Sequence, residues 1–390
     1  MMGRIDKPRK IEWVSFLCFA IIALQNPIWP LWRFGTYLSF VCILILAYLL
    51  SKRKNRYFSK AYTLAVLLLF ISFIVIQQIR QFTPSSFLYF ITFLFVLKLS
   101  DNEKSQTLSY IGYYLSIIIT LSLPCWLIHE YVFSFPQFGT IDISALKGIK
   151  DTYLNNYLFF VTYPNASFPR FFSMFDEPGV LGTLGAFVLC ANNYDFKDRK
   201  NIIILLGCLF TFSLAFYALT VVGLILKSIK GSVFKMVFSL FLVFSLFYTV
   251  DYLLKDNETY QLAIQARLGE GLENSLEARS SEYTNDFFDK FIHTPESLIG
   301  IGVKNAEQKG FLEQGNSYRI FVIKYGWLSV LAILIAYWSL AYPKNKKNLT
   351  LFILVVLSFL QRPQSWVAWE LILFVCATES YNNGKKIFER

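Results

Sequence analysis

Long apolar runs separated by short basic connections constrain this chain more than any other feature of its sequence. A helix needs about 20 apolar residues to cross a bilayer, and somewhat fewer when its ends carry aromatic or snorkelling side chains. Twelve runs of this chain are candidates for such spans. The runs are 11–28, 34–50, 61–79, 86–100, 107–129, 178–193, 201–213, 214–227, 232–252, 319–342, 348–361 and 365–379. Only 16% of the residues are charged, against about 25% in soluble chains. We therefore expect an all-α, polytopic transmembrane helix bundle of about 12 helices, forming a single membrane domain over 1–390.

The basic residues predict how these helices are oriented. They cluster in short connections such as Lys52-Arg53-Lys54-Asn55-Arg56 and Lys344-Asn345-Lys346-Lys347. This is the positive-inside pattern of membrane proteins, and it predicts that both termini lie on the cytoplasmic side of the inner membrane. The net charge of +11 arises largely from these connections, so it does not indicate a nucleic-acid partner.

The apolar run at 201–226 has basic residues on both sides, ending with Lys200 before it and beginning with Lys227 after it. Both flanks favour the cytoplasm, so the run must cross twice or not at all. We predict two short helices broken near Thr211-Phe212-Ser213. A bare turn in lipid would leave its backbone unsatisfied, so this hairpin should be packed inside protein.

Two long polar segments, at about 130–177 and 251–318, are expected on the periplasmic side. Within the second, 277–292 has the spacing of an amphipathic helix, with Tyr283, Phe287, Phe288 and Phe291 on one face. The first contains a similar stretch, 151–163, for which we also predict an amphipathic helix. Both helices are expected at the membrane surface.

The chemistry-bearing motifs lie in these two segments. The first ends in Arg170, an aromatic run, and then Phe175-Asp176-Glu177-Pro178-Gly179-Val180-Leu181-Gly182. This pattern resembles the bacterial O-antigen polymerases (Wzy), which are related to the O-antigen ligases. The second segment and the next helix add further residues in family order: Arg267, Arg279, Pro295, Gly300-Ile301-Gly302, Asn316-Ser317-Tyr318 and Gly326. Gly315 stands where the ligases have a histidine, which favours a polymerase.

The resemblance implies a GT-C-like, metal-independent membrane glycosyltransferase without a cofactor. It would transfer an undecaprenyl-diphosphate-linked oligosaccharide onto another lipid-linked repeat unit of lipopolysaccharide, at the periplasmic face. Its expected partners are that substrate and membrane lipids, together with a chain-length regulator and a flippase. The alternatives are an O-antigen ligase acting on lipid A-core, a lipid-linked oligosaccharide flippase or other transporter, and a membrane acyltransferase.

The residue types fit this reaction. Negative charge develops on the departing diphosphate, and arginine binds phosphate oxygens in two-point fashion without losing its proton. We assign catalysis to Glu177 as general base with Arg170 and Arg279, and binding of diphosphate or glycan to Arg267, Asn316 and Tyr318. Structural alternatives are helix capping for Glu177 and Asn316, and salt bridges for the arginines. His129 has two candidate roles, anchoring at the membrane interface and proton transfer.

Overall fold

The computed structural model of the chain is mostly helical. It describes residues 12–25, 34–53, 60–80, 84–144, 151–164, 166, 168–228, 261, 282–311, 317–341, 345–361 and 367–378.

The helices, in chain order, are α1 Trp13–Gln25, α2 Gly35–Ser51, α3 Lys60–Phe70, α4 Gln77–Arg80, α5 Pro84–Leu97, α6 Asp101–Tyr131, α7 Pro178–Ala191, α8 Arg199–Leu209, α9 Leu214–Ser228, α10 Glu282–Phe291, α11 Val303–Gln308, α12 Tyr318–Ala341, α13 Lys346–Gln361 and α14 Ala368–Ala377. A π-helical turn, Ile71–Ile76, joins α3 to α4, and a 3-10 turn, Pro295–Leu298, precedes α11. Three strands, β1 Gly139–Asp142, β2 Tyr153–Asn156 and β3 Val161–Thr162, form one antiparallel sheet in the order β1-β2-β3.

Most of the predicted apolar runs can be compared with these helices. The run at 232–252 lies outside the described residues, and each of the other eleven overlaps a helix. Among the described residues, two helices, α6 and α12, are long and apolar enough to cross a membrane. The structure thus agrees with the predicted helical class, apart from the small sheet.

The predicted break in the run at 201–226 is confirmed. The run forms α8 and α9, which are joined by a tight turn at residues 210–213. Phe212 has a positive φ of 46°, a conformation that a right-handed helix cannot contain. Thr211 is fully buried, and its hydroxyl donates to the Cys208 carbonyl over 2.6 Å. The turn is therefore packed inside protein, as its backbone requires.

Helix α7 is almost entirely buried, since thirteen of its fourteen residues are shielded from solvent. It packs against α8, α9 and α13, and glycine allows the close approach. A Cβ at Gly185 would lie 2.3 Å from Cys208 Sγ, and a Cβ at Gly182 would lie 2.9 Å from Ser213 Cβ. Small residues at such contacts let helix backbones approach closely, as they do in membrane bundles.

The prediction of an amphipathic helix at 151–163 is wrong, because this stretch forms β2 and β3. Leu154 is buried between more exposed neighbours, and it joins Phe172 in a small apolar cluster. Leu158 has a φ of 71°, and its N–H donates to Asn156 Oδ1 over 3.0 Å, which closes a turn between the strands. This stretch therefore forms strands, the first of which pairs with β1, and not a helix, since asparagine favours turns over helix interiors.

The second predicted amphipathic helix is present over the part of 277–292 that is described. It forms α10, which packs against α12. Phe288 and Phe291 are buried, whereas Tyr283 is 53% exposed. The aromatic face is thus largely covered by protein.

The starts of α1 and α6 and the end of α2 meet at one end of the bundle. The Glu103 carbonyl accepts from Ser15 Oγ at 3.0 Å, and its carboxylate accepts from both terminal nitrogens of Arg53 at 2.8 and 2.5 Å. The Ser100 N–H donates to the same carboxylate and completes a capping box. This hydrogen bonding to Glu103 raises the pKa of Arg53, so the pair stays ionised.

We call this end the basic end, defined by Arg53, Lys200, Lys227 and Lys346. Lys200, at the start of α8, lies 4.0 Å from the ring centroid of Tyr113 in the first half of α6. Lys227 and Lys346 line one cavity with the end of α7. The connections that carry Lys227 and Lys346, which are both predicted to be cytoplasmic, therefore lie together.

The opposite end carries the sheet, and we call it the sheet end. Here the end of α6 meets the turn between α8 and α9 and the segment that leads into α7. The Trp126 ring lies 5.6 Å from Phe171 and 6.1 Å from Phe210, centroid to centroid. The end of α6, the segment that leads into α7 and the turn between α8 and α9 are thus packed together.

Candidate functional site

Residues 168–177 connect the sheet to α7 and carry two of the predicted catalytic residues. The main chain of β3 donates to the Ser173 carbonyl at 2.9 Å, and the Tyr163 hydroxyl donates to the Asp176 carbonyl at 2.8 Å. From α6, Ser122 Oγ donates to Ser173 Oγ at 2.9 Å. The segment is therefore held by both the sheet and the bundle.

Arg170 is fixed on the turn between α8 and α9. Its Nε donates to the Thr211 carbonyl at 2.9 Å, and its Nη2 donates to the Phe212 carbonyl at 3.0 Å. The neighbouring Phe171 N–H donates to the Phe210 carbonyl at 3.0 Å. These acceptors follow the end of α8, where carbonyl groups lack helical partners. The half-buried guanidinium thus brings a positive charge to a buried turn and holds it there.

Glu177 occupies the N-cap position of α7, with Pro178 as the first helical residue. Its backbone is extended, with φ −164° and ψ 155°, as an N-cap requires. Its side chain makes no capping hydrogen bond to the helix, so capping does not explain why a carboxylate stands here. The side chain is half-buried, seven residues from Arg170 on the same fixed segment.

His129 anchors the sheet to α6. Its Nδ1 accepts the Phe135 N–H at 2.9 Å, so the neutral ring carries its proton on Nε2. The ring lies 4.3 Å from Tyr157 and 5.3 Å from Phe160, centroid to centroid. His129 therefore holds the sheet against the end of α6.

Three of the predicted site residues, Arg267, Arg279 and Asn316, lie outside the described residues. Tyr318 begins α12 and is half-buried. Its ring packs edge-on against Phe288 of α10, with centroids 6.0 Å apart. Tyr318 therefore has a packing contact in addition to its predicted contact with sugar.

The glycines of the second motif form a backbone clamp between the 3-10 turn and a kink in α12. Gly300, Gly302 and Gly326 have φ values of 77°, 85° and 76°, which favour glycine. The Gly302 N–H donates to the Lys324 carbonyl at 3.0 Å. A Cβ at Gly300 would lie 2.4 Å from the Lys324 carbonyl oxygen, and a Cβ at Gly326 would lie 2.3 Å from the Leu298 carbonyl oxygen. The spacing of these glycines is thus explained by backbone docking.

This clamp places the second polar segment at the sheet end. Helix α13 begins at the basic end with Lys346, and α12 ends at Ala341. Phe321, near the start of α12, lies 5.3 Å from Phe359, near the end of α13, centroid to centroid. Because the 16 residues of α13 span about 24 Å, α12 begins far from the basic end. The described parts of both polar segments therefore lie at one end of the bundle.

The contacts of Arg170 with Thr211 and Phe212 were missed by the sequence-based reasoning. Both acceptors are backbone carbonyls, so their side chains carry no signal of the interaction. The predicted break near Thr211 could have indicated these contacts, because the carbonyl groups at a buried helix end need hydrogen-bond donors from elsewhere in the protein.

The part of the chain that the structure describes is mostly helical, with two helices long and apolar enough to cross a membrane and an arginine-bearing segment fixed at one end. No protein-family model, curated protein or solved structure matches the chain.

Proposed function

We propose that this chain is an O-antigen polymerase, which joins lipid-linked glycan repeat units at the periplasmic face of the bacterial inner membrane. The observation that supports it most is the placement of Arg170. Its cation is fixed on a buried turn by two carbonyl contacts, at the end of the bundle where the described parts of both polar segments lie. A preorganised cation at such a place suits charge that develops on a departing diphosphate.

The reaction assigns a task to each predicted residue. The acceptor hydroxyl oxygen forms a bond to the anomeric carbon of the donor while the bond to undecaprenyl diphosphate breaks, and the diphosphate keeps the electron pair. Arg170, Arg279 and Arg267 stabilise the charge on its oxygens. Glu177 takes the hydroxyl proton, and Asn316 and Tyr318 contact the sugars. Burial of the surrounding turn strengthens these interactions, because charges act more strongly away from water.

The proposed topology has about 12 spans, with both termini in the cytoplasm, the sheet end in the periplasm and the basic end in the cytoplasm. The gathering of Arg53, Lys200, Lys227 and Lys346 at one end supports this orientation, since cytoplasmic connections carry an excess of lysine and arginine. A chain-length regulator and a flippase are the proposed partners.

Deletion of the gene, followed by gel analysis of the surface glycan, tests the proposed activity. We expect lipid A-core that carries a single repeat unit and no ladder. Bare core with polymer left on its lipid would instead indicate a ligase, and bare core without polymer would indicate a flippase. Either result would overturn the polymerase proposal. Restoration of the ladder by the wild-type gene on a plasmid is the control.

A further inference from the structure

A second candidate site lies at the basic end, far from Arg170. A cavity of about 150 Å³, which opens to solvent, lies between the ends of α7 and α9 and the start of α13. Lys227, Lys346 and Lys347 line it, and the described lining residues include no aspartate or glutamate. Three positive charges around one concave surface attract an anion. We call this cavity the lysine pocket.

A buried hydroxyl lies in the lysine pocket. Tyr194 is only 4% exposed, and its hydroxyl lies 1.7 Å from the point where a Cβ at Gly223 would be. Apart from the weakly hydrogen-bonding thiol of Cys190 beside it, this hydroxyl meets no partner among the described residues. Burial raises the pKa of Tyr194, so the hydroxyl keeps its proton and can donate it to an anion. A buried polar group without a good partner is costly, and a ligand would remove that cost.

The lysines of α13 also stand where a helix disfavours cations. Lys346 and Lys347 occupy the first turn of α13, next to the positive end of the helix dipole. The Lys346 ammonium is shielded from solvent and forms no hydrogen bond within the described part of the chain. Asn345 Oδ1 accepts the Asn348 N–H at 2.9 Å, so the helix start is ordered by its own cap. Two cations at a helix start fit a bound anion, which both the ammonium groups and the dipole stabilise.

We propose that the lysine pocket binds the phosphate head group of an anionic lipid. The pocket lies at the ends of apolar helices, where lipid head groups are found, and basic pockets between such helices suit anionic heads. Its volume of about 150 Å³ is smaller than that of a site for a whole small molecule, about 300–1,000 Å³. The pocket therefore takes the phosphate group and leaves the acyl chains outside along the bundle. Lys227 lies at the rim, where it donates to the Asn193 carbonyl and lies 6.0 Å from the centroid of the Tyr194 ring. This site does not depend on the proposed polymerase activity.

Binding to the purified full-length protein in detergent tests this proposal. The probes are short-chain phosphatidylglycerol, short-chain phosphatidylcholine and inorganic phosphate, with affinity measured by calorimetry and the melting temperature recorded for every variant. Lys346→Gln should weaken phosphatidylglycerol binding about fivefold, and the double variant with Lys347→Gln about 25-fold. Tyr194→Phe keeps the ring but removes the donor, and should weaken binding about tenfold. Lys200→Gln is the control, because Lys200 lies at the same end but pairs with Asp198 at 3.2 Å.

We expect phosphatidylglycerol to bind the wild type and Lys200→Gln equally, and phosphatidylcholine to bind neither. Inorganic phosphate binding as tightly as phosphatidylglycerol would support a phosphate site but overturn its assignment to lipid. Equal binding of both lipids, or unchanged binding by the double lysine variant at an unchanged melting temperature, would overturn the site itself.

Discussion

Arg170→Ala should abolish the glycan ladder and leave single repeat units on the core, while the protein remains in the membrane. The substitution removes a cation that is fixed on the turn by hydrogen bonds of 2.9 and 3.0 Å. Loss of one preorganised group that stabilises transition-state charge lowers turnover by about 100-fold or more. Arg170→Lys should retain a weak ladder, because lysine keeps the charge but not the planar two-point geometry. The measurement is a gel of surface glycan, with membrane protein quantified by immunoblot.

Arg170 also supports the turn structurally, so a variant that loosens the turn but keeps the arginine is needed as a control. Thr211→Val is suitable, because the Thr211 hydroxyl donates to the Cys208 carbonyl at 2.6 Å and accepts the Ser213 N–H at 3.2 Å. This variant should have a lower melting temperature and still produce a ladder. If Thr211→Val abolished the ladder as completely as Arg170→Ala at equal protein levels, the role of the Arg170 charge would be refuted.

Gly300→Ala should destabilise the sheet end strongly. A Cβ at this position meets the Lys324 carbonyl oxygen at 2.4 Å, and φ is 77°. Left-handed backbone costs a non-glycine residue about 1–2 kcal/mol, and overpacking adds about 1–3 kcal/mol. The clamp between the 3-10 turn and α12 should therefore open. We expect a lower melting temperature and faster proteolysis within 282–311.

Gly310→Ala is the matched control for this prediction. Gly310 has nearly the same φ, 75°, but a Cβ there would have no atom of the described residues within 4 Å. Both variants carry the cost of the left-handed backbone, so the difference between their melting temperatures reports the contact of residue 300 with α12. Equal decreases in melting temperature would contradict the clamp.

The sequence predicted the parts of this fold that depend on local pattern. Apolar runs located the described helices apart from α10, which an amphipathic pattern predicted, and α11, which no pattern predicted. The charges that flank 201–226 revealed the hairpin, because lysine and arginine report the side of the membrane. The sheet was missed because β2 is defined by its pairing with β1, for example Thr140 with Asn155. Such a non-local contact leaves no mark in the spacing within 151–163, where Tyr, Leu and Phe also fit a helical face.

The site shows the same division between local and non-local information. Arg170 and Glu177 could be chosen from the motif, because residue type and a helix start are readable along the chain. The acceptors of Arg170 could not, because they are backbone carbonyls that only the folded turn presents. The resemblance includes the glycines of the second segment and of the next helix, and the structure shows that Gly300 and Gly326 hold two backbones together.

Glycan elongation by the purified protein tests the central claim most directly. Lipid-linked repeat units extracted from the deletion strain are added to the protein in lipid nanodiscs, in the presence of a metal chelator. We expect products of two or more repeats and release of undecaprenyl diphosphate by the wild type, with both reduced about 100-fold or more in Arg170→Ala. Repeat units that remain single with the wild-type protein, or elongation that is unchanged in Arg170→Ala, would contradict the account.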